Sequence, residues 1–178
     1  LYMDKVQTKI LEINENNMEE LIKGAEIIKA GGLVAFPTET VYGLGANGLD
    51  PRAAEKIFEA KGRPKDNPLI LHVSSVNEVA NLVQSIPKNA EKLMNVFWPG
   101  PLTIILRRSD LVPDIITGGL DKVSIRMPNN PIALKLIELS QLPIAAPSAN
   151  TSGKPSPTLA SHVAEDLYGK VDLIIDGG

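Results

Sequence analysis

Length, composition and charge exclude several classes of protein. The chain has 178 residues, 43% hydrophobic and 22% charged, which suits one globular domain. It has no cysteine, so disulfides, iron–sulfur clusters and thiolate zinc sites are excluded, and its net charge of −3 argues against a nucleic-acid-binding surface over the whole molecule.

The N-terminus and the hydropathy of the chain bear on location. No stretch approaches the roughly 20 apolar residues of a membrane span, and residues 1–10 lack the apolar core of a signal peptide. Together with the absence of cysteine, this favours a cytoplasmic protein that does not contact a membrane. Leu1 and Tyr2 precede Met3 and are interpreted as a remnant of cloning.

Short apolar runs and helical patterns alternate along the chain. Asn17, Asp50 and Thr158 are expected to cap helices, and Ser75 with Glu78 forms a capping-box pattern. The predicted strands are 9–13, 33–36, 69–73, 102–106, 123–127, 144–146 and 173–175. The predicted helices are 17–30, 50–60, one beginning at 75, 87–97, 131–139 and 158–168. This irregular alternation predicts a single α/β domain, residues 1–178, with a mixed sheet.

One segment matches a dinucleotide-binding fingerprint in its letters. Residues 43–48 read GLGANG, a G-x-G-x-x-G pattern between a predicted strand and a predicted helix. However, six residues separate the strand from the first glycine, whereas a Rossmann turn is tight. The glycines of the loop 38–49 are therefore interpreted as serving loop conformation. Gly153-Lys154 is followed by Pro155, so it is not a P-loop.

The predicted loop 61–68 concentrates positive charge in a stiff turn. Lys61, Arg63 and Lys65 fall within five residues that also include Gly62 and Pro64. Arginine can hold phosphate oxygens in a bidentate fork, and lysine adds a point charge. The segment is either an anion site or an ordinary solvated loop, and its own residues do not decide between the two.

Two polar loops and one histidine follow predicted strands. The loops are 37–40 (PTET) and 147–153 (PSANTSG). Ligands bind at strand ends in α/β sheets, but the same hydroxyls can also satisfy loop amides or cap a helix. His72 could face either the core or a pocket. Two histidines at this spacing provide neither a Ser–His–Asp arrangement nor a metal site.

Five motifs occur in a specific order along residues 20–178. They are FPTETVYGLG at 36–45, KGRPKDNPL at 61–69, WPGPLT at 98–103, VSIRMP at 123–128 and APSANTSGKPSP at 146–157. In this order they resemble the YrdC-like threonylcarbamoyl-adenylate synthases. The resemblance implies a twisted mixed α/β sheet flanked by helices, with a concave, positively charged surface.

The resemblance also implies a reaction. The family is a group of nucleotidyltransferases that make threonylcarbamoyl-AMP and pyrophosphate from L-threonine, bicarbonate and ATP, with Mg²⁺ as the expected metal. Threonine and bicarbonate form an N-carboxylate, which attacks the α-phosphorus of ATP. Downstream tRNA-modifying proteins would transfer the product to an adenosine of tRNA, and tRNA itself is a possible partner.

The family's functional residues are carried over position by position. The implied catalytic tetrad around the nucleotide is Lys61, Arg63, Ser148 and Asn150. The implied ATP contacts are Arg63, Asn67, Lys122, Ser148 and Ser156, where Lys122 replaces a common threonine. The implied threonine contacts are Thr40, His72, Arg126 and Ala146, with Arg126 pairing the carboxylate. The family continues past residue 178 into a segment that closes on threonine, which is expected to be missing here.

A different class of function remains as the alternative. An RNA-binding or ribosome-associated module could use the same concave basic face without chemistry. The net charge of −3 and the aromatic content of 4% weaken this alternative, because proteins that bind single strands use aromatic side chains as stacking platforms.

Overall fold

Eight strands form one mixed sheet in a computed structural model, which describes residues 6–178. They are β1 (Lys9–Glu12), β2 (Val34–Phe36), β3 (Gly43–Asn47), β4 (Ile70–His72), β5 (Ile104–Arg107), β6 (Lys122–Arg126), β7 (Ile144–Ala145) and β8 (Leu173–Asp176). Their order is β1-β8-β2-β3-β7-β4-β6-β5. β8 is parallel to β1 and β2, β4 is parallel to β6, and the remaining pairs are antiparallel. The predicted mixed α/β sheet is confirmed; Leu1 and Tyr2 lie outside the described residues.

Helices flank the sheet, and most begin at the predicted places. They are α1 (Ile22–Lys29), α2 (Pro51–Lys61), α3 (Lys88–Phe97), α4 (Asp114–Thr117), α5 (Pro131–Ser140) and α6 (Ala160–Leu167), with 3₁₀ turns at Met18–Leu21 and Val76–Asn81. The Asp50 carboxylate caps α2 by accepting a hydrogen bond from the Arg52 N–H, as predicted. None of the helices within residues 6–178 has the length and apolar character needed to cross a membrane.

Several helix starts differ from prediction for local reasons. The Thr158 cap is wrong, because the N-cap of α6 is Leu159, one residue later, and the helix begins at Ala160. The Asn17 side-chain oxygen accepts from the Asn14 N–H, and its nitrogen donates to Glu12 and Glu20, so Asn17 does not cap a helix N–H. The segment from residue 76 is a 3₁₀ turn, and α4 was missed because it is only one turn long.

The segment 38–49 is not all loop, because residues 43–47 form the central strand β3. The interpretation of its glycines as loop residues is therefore wrong. A Cβ on Gly45 would lie 2.7 Å from Cε1 of Phe36 and 2.8 Å from Cγ2 of Ile144. Glycine is required there because the Phe36 ring crosses the strand, and no larger residue leaves room for it.

The strand register divides the side chains between two faces. Paired residues of neighbouring strands project to the same face, and successive residues alternate. We call one side the His72 face; it is defined by the pairs Phe36–Gly43, Asn47–Ile144, Ile144–His72 and His72–Arg126. The Phe36 and His72 rings meet edge to face on it, with centroids 6.3 Å apart.

A hydrophobic cluster packs on each face of the sheet. On the opposite face, strand residues such as Leu44 and Leu71 pack in a cluster that includes residues of α2, α3 and α6. On the His72 face, Phe36 and Ile144 belong to a cluster with α1 and α5. Near β6, loops approach this face instead of helices: the Arg126 side chain contacts Gly100 and Glu39, which both lie in loops. That end of the His72 face is therefore where polar side chains can meet a ligand.

Candidate functional site

Five residues implied as ligand contacts lie on the His72 face. His72 and Arg126 are register partners in β4 and β6, and Lys122 lies four residues before Arg126 on the same strand. Ala146 follows Ile144 by two residues, and Ser148 forms an isolated bridge with Gly43. Alternation along each strand thus brings these residues to one side of the sheet, although they are distant in sequence.

Lys61 is the buried anchor of the loop after β7. It is the last residue of α2 and only 2% exposed. Its ammonium donates to the carbonyls of Ser148, at 2.5 Å, and Asn150, at 2.7 Å, and to the Asn150 side-chain oxygen at 3.3 Å. The loop returns one bond, from the Ser152 N–H to the Lys61 carbonyl. The structure therefore brings together three of the four implied catalytic residues.

The Lys61 ammonium loses its proton more readily than that of an ordinary lysine, because its pKa is lowered. Burial, and then the charge of nearby Arg63, lower the pKa of its ammonium to about 8, while Asp166 acts in the opposite direction. At neutral pH the group is still mainly protonated. An anion bound beside it would stabilise the charged form, so ligand binding and protonation of Lys61 should be linked.

Arg63 has unused hydrogen-bonding capacity in a partly buried position. Gly62 at φ +65° ends α2 and turns the chain, so Arg63 follows directly on the helix. Its Nη2 donates to the Pro68 carbonyl at 2.8 Å, whereas its buried Nε has no hydrogen-bond partner within residues 6–178. Burial lowers the pKa of this guanidinium, which nevertheless remains charged. A buried cationic donor without a partner is the feature expected of an anion site.

His72 is a neutral, oriented side chain on the same face. It is 4% exposed, and burial, followed by the charge of Arg126, lowers its pKa to about 4. Its Nδ1 lies 3.2 Å from the Ile70 carbonyl and 3.3 Å from that of Ile144. Carbonyls only accept, so the neutral ring carries its proton on Nδ1. Nε2 is then an acceptor that makes no hydrogen bond to the described residues.

Arg126 is held on two sides by the protein. Its Nε donates to the Gly100 carbonyl at 3.1 Å, and its Nη2 forms an ion pair with Glu39. The second Glu39 oxygen accepts from the Asn129 N–H at 2.7 Å. Nη1 makes no hydrogen bond to any residue between 6 and 178. The guanidinium therefore presents one remaining edge to a ligand.

The remaining implied contacts are less tightly placed. The exposed Thr40 hydroxyl lies 3.1 Å from that of Thr38. Asn67, Lys122 and Ser156 are exposed, and their side chains make no hydrogen bond within the described part of the chain. The Ala146 N–H donates to the Ile70 carbonyl, so only its own carbonyl is left for a ligand.

Two residues that sequence reasoning did not single out support this arrangement. Glu39 binds Arg126, and its only signal was an acid in the polar loop 37–40 after a strand. The Asp166 carboxylate accepts from the Thr151 N–H at 3.0 Å and lies 3.6 Å from the Lys154 ammonium, so it braces the loop that Lys61 anchors. Its position on a surface helix gave no such indication.

One cavity away from these residues is less suited to an anionic ligand. A cavity of about 730 Å³ lies near residues 108–121 and contains none of the implied site residues. Its guanidinium, Arg108, is already bound to the Asp114 carboxylate and the Val112 carbonyl. Within residues 6–178 no three His, Asp or Glu side chains cluster in a way that could hold a metal ion.

Comparison with known proteins places this geometry in context. A family model described as Telomere recombination, covering Sua5, YciO and YrdC proteins, matches residues 26–178. The threonylcarbamoyl-AMP synthase of Pyrococcus abyssi is 62% identical over 172 residues, which are 96% of this chain and 51% of that protein. The threonylcarbamoyl-AMP synthase of Bacillus subtilis is 53% identical over 163 residues, 91% of this chain and 47% of that one.

A solved structure supports the same relationship. The crystal structure of P. abyssi Sua5 complexed with L-threonine superposes with a TM-score of 0.92 at 59% identity, over 96% of this chain and 50% of that chain. The chain thus spans about half the length of these relatives.

Proposed function

The chain belongs to the Sua5/YciO/YrdC family, and from this premise we propose that it forms threonylcarbamoyl-AMP and pyrophosphate from L-threonine, bicarbonate and MgATP. Two similar proteins are named for this product, and a similar solved structure, P. abyssi Sua5, is a complex with L-threonine. The activated carbamoyl group would then pass, through partner proteins, to an adenosine of tRNA. The proposal concerns what the residues present in this chain can contribute.

The reaction has two steps with a common electrostatic difficulty. The threonine nitrogen attacks the carbon of bicarbonate, and loss of water leaves an N-carboxylate. A carboxylate oxygen then bonds to the α-phosphorus while the bond to the β-phosphate breaks and pyrophosphate departs. An anionic nucleophile must approach an anionic triphosphate, so fixed cations and precise positioning supply most of the catalysis.

The threonine end of the site is proposed at Arg126 and His72. The open Nη1 edge of Arg126 suits the α-carboxylate. Nε2 of His72 is an acceptor, so it suits a donor such as the threonine hydroxyl. Thr40 and the Ala146 carbonyl are proposed to complete the contacts. This acceptor would discriminate against an amino acid that lacks the hydroxyl, because Nε2 of His72 would be left without a hydrogen-bond partner.

The nucleotide end is proposed at the Lys61–Arg63 turn and the loop 147–157. The observation that carries the proposal is the buried, unpartnered Nε of Arg63 beside the charged Lys61. Arg63 is positioned to bind phosphate, and Lys61 holds Ser148 and Asn150 where they can contact the nucleotide. Three exposed residues at the edge of the site are proposed to contact ATP as well: Asn67, Lys122 and Ser156.

Magnesium fits this site as part of the substrate. The described residues provide no carboxylate cluster for a resident ion, and Mg²⁺ commonly binds through nucleotide phosphates with few protein ligands. It would neutralise the departing pyrophosphate. The residues of this chain would bind and orient the MgATP complex.

The decisive test is pyrophosphate release from MgATP. The proposal expects release to require both threonine and bicarbonate, and the nucleotide product to be threonylcarbamoyl-AMP by mass spectrometry. The matched control replaces threonine by valine. Binding of RNA without any threonine-dependent release would instead support the RNA-binding alternative.

A further inference from the structure

We propose that Glu39 is a positioning residue of the amino-acid site, which holds the Arg126 guanidinium by one edge and so aims the opposite edge at the substrate carboxylate. The inference rests on the proposed function, because it presupposes that Arg126 binds an amino acid. It assigns a role to a residue that makes no contact with the reacting atoms.

The first support is the way in which the Glu39 carboxylate is itself fixed. Its two oxygens have different partners, Nη2 of Arg126 and the N–H of Asn129. Glu39 lies in an exposed loop, but its side chain is only 21% exposed and that of Arg126 only 11%. An ion pair with this degree of shielding and a second, backbone partner has a defined geometry, unlike the mobile pairs of an open surface.

The second support is the number of chain segments that meet at Arg126. Glu39 comes from the loop between β2 and β3, Gly100 from the segment before β5, and Asn129 from the turn after β6. β2 and β6 are separated in the sheet by β3, β7 and β4. The Glu39 contact therefore fastens the loop that contains Thr40 to the far side of the site.

The third support is that two of the three guanidinium nitrogens are already assigned. Nε donates to Gly100 and one N–H of Nη2 donates to Glu39, which leaves the edge formed by Nη1 and the second N–H of Nη2. Without Glu39 the guanidinium could rotate about its last bonds. Its fork would then no longer be directed at one place, and a bidentate donor loses its advantage when its plane is not fixed.

Two effects of Glu39 oppose each other, and this makes the inference testable. Its negative charge weakens the attraction of Arg126 for a second carboxylate, whereas its hydrogen bond fixes the guanidinium. If the charge effect dominated, Glu39 would be a competitor that the substrate displaces, and its removal would strengthen binding. The doubly bound carboxylate favours positioning as the dominant effect.

The experiment measures threonine binding by calorimetry for the wild type, Glu39→Gln and Glu39→Asp. Positioning predicts that Glu39→Gln raises the threonine Kd about tenfold and that Glu39→Asp, which retains the charge, recovers part of the loss. The MgATP Kd should change less than about twofold. In turnover, KM for threonine should rise while kcat changes little. Glu55→Gln, which removes an acid from an exposed pair with Lys65, is the matched control.

A second measurement does not depend on any ligand. The denaturation midpoints of Glu39→Gln, Arg126→Gln and the double variant should be non-additive, because each single change breaks the same contact. Additive midpoints would overturn the inference.

The remaining outcomes separate the two proposals. Unchanged or tighter threonine binding by Glu39→Gln would overturn positioning and leave the proposed function intact. Failure of the wild type to bind threonine would overturn both.

Discussion

Arg63 and Lys61 are neighbouring cations that differ in whether a hydrogen-bond donor remains available for a ligand. The three N–H groups of the Lys61 ammonium have three oxygen acceptors within the protein, whereas Arg63 retains a buried donor with no partner among residues 6–178. We infer that Arg63 meets the nucleotide directly and that Lys61 acts by holding the loop 147–153 in place.

Replacement of Arg63 by alanine should weaken MgATP binding by about 1.5–3 kcal/mol, the usual contribution of a hydrogen bond to a charged group. Arg63→Lys should also bind weakly, because lysine cannot reproduce the fork. Calorimetric titration measures both. Lys65→Ala serves as the control, since Lys65 is already paired with Glu55 and should have little effect. An affinity for Arg63→Ala equal to that of the wild type would remove this turn from the nucleotide site.

The pH dependence of nucleotide binding should reflect Lys61. Its pKa of about 8 means that the ammonium is charged below this pH and neutral above it, so anion affinity should fall as pH rises through that value. The loss should approach about tenfold by about pH 9. His72 cannot be the source, because its pKa of about 4 leaves it neutral throughout this range.

The Arg63→Ala variant is also the control for this pH profile. The charge of Arg63 contributes to the lowered pKa of Lys61, so its removal should raise that pKa and shift the fall in affinity to higher pH. Titrations in matched buffers over this range measure the midpoint. A midpoint that does not move would assign the titration to another group.

At the level of elements, β3 depends on a glycine at position 45, where a side chain would collide with the Phe36 ring. Gly45 lies beneath the Phe36 ring, and Phe36 in turn meets the ring of His72. Through this chain of contacts, the small residues of β3 influence the orientation of a proposed ligand contact. The strand is thus part of the site's support as well as of the sheet.

Gly45→Ala should destabilise the protein by about 1–3 kcal/mol, because the new methyl group cannot be accommodated without shifting Phe36 or Ile144. Gly43→Ala is the matched control: its Cβ would lie 3.3 Å from that of Ala146 and 3.4 Å from the Phe36 ring, so a smaller shift suffices. Urea denaturation compares the two. Equal stability losses would show that the packing over Gly45 is not the determining feature.

At the level of the whole molecule, a ligand bound at either proposed site should stabilise the fold. Threonine at about 100 times its Kd should add about 2.7 kcal/mol to the free energy of unfolding. Serine retains the hydroxyl and carboxylate and should stabilise partly. Valine lacks the donor for His72, and threoninol lacks the carboxylate for Arg126, so both should stabilise little. Thermal unfolding with each compound measures this order. If threoninol matched threonine, Arg126 would not be the carboxylate partner.

The sequence alone predicted the class of sheet and most helices, and its motifs supplied the proposed set of ligand contacts. These are local or motif-based features: the Asp50 cap on α2 acts over two residues, and the motifs at 61–69 and 146–157 are contiguous. Such signals can be read without knowing how the chain folds back on itself. β3 escaped prediction because its sequence, GLGAN, has two glycines and no β-branched residue, and its alternating apolar residues, Leu44 and Ala46, are too few to indicate a strand.

Tertiary structure alone decided which residues are partners and which remain available. Lys61 meets Ser148 and Asn150 across 87 and 89 positions of sequence, and Arg126 meets Glu39 across 87. These contacts follow from the order of strands in the sheet, which no local pattern encodes. The fold places three acceptors around the Lys61 ammonium and, within residues 6–178, none at Nε of Arg63. A donor stays available for a ligand only where the fold brings no acceptor within hydrogen-bonding distance.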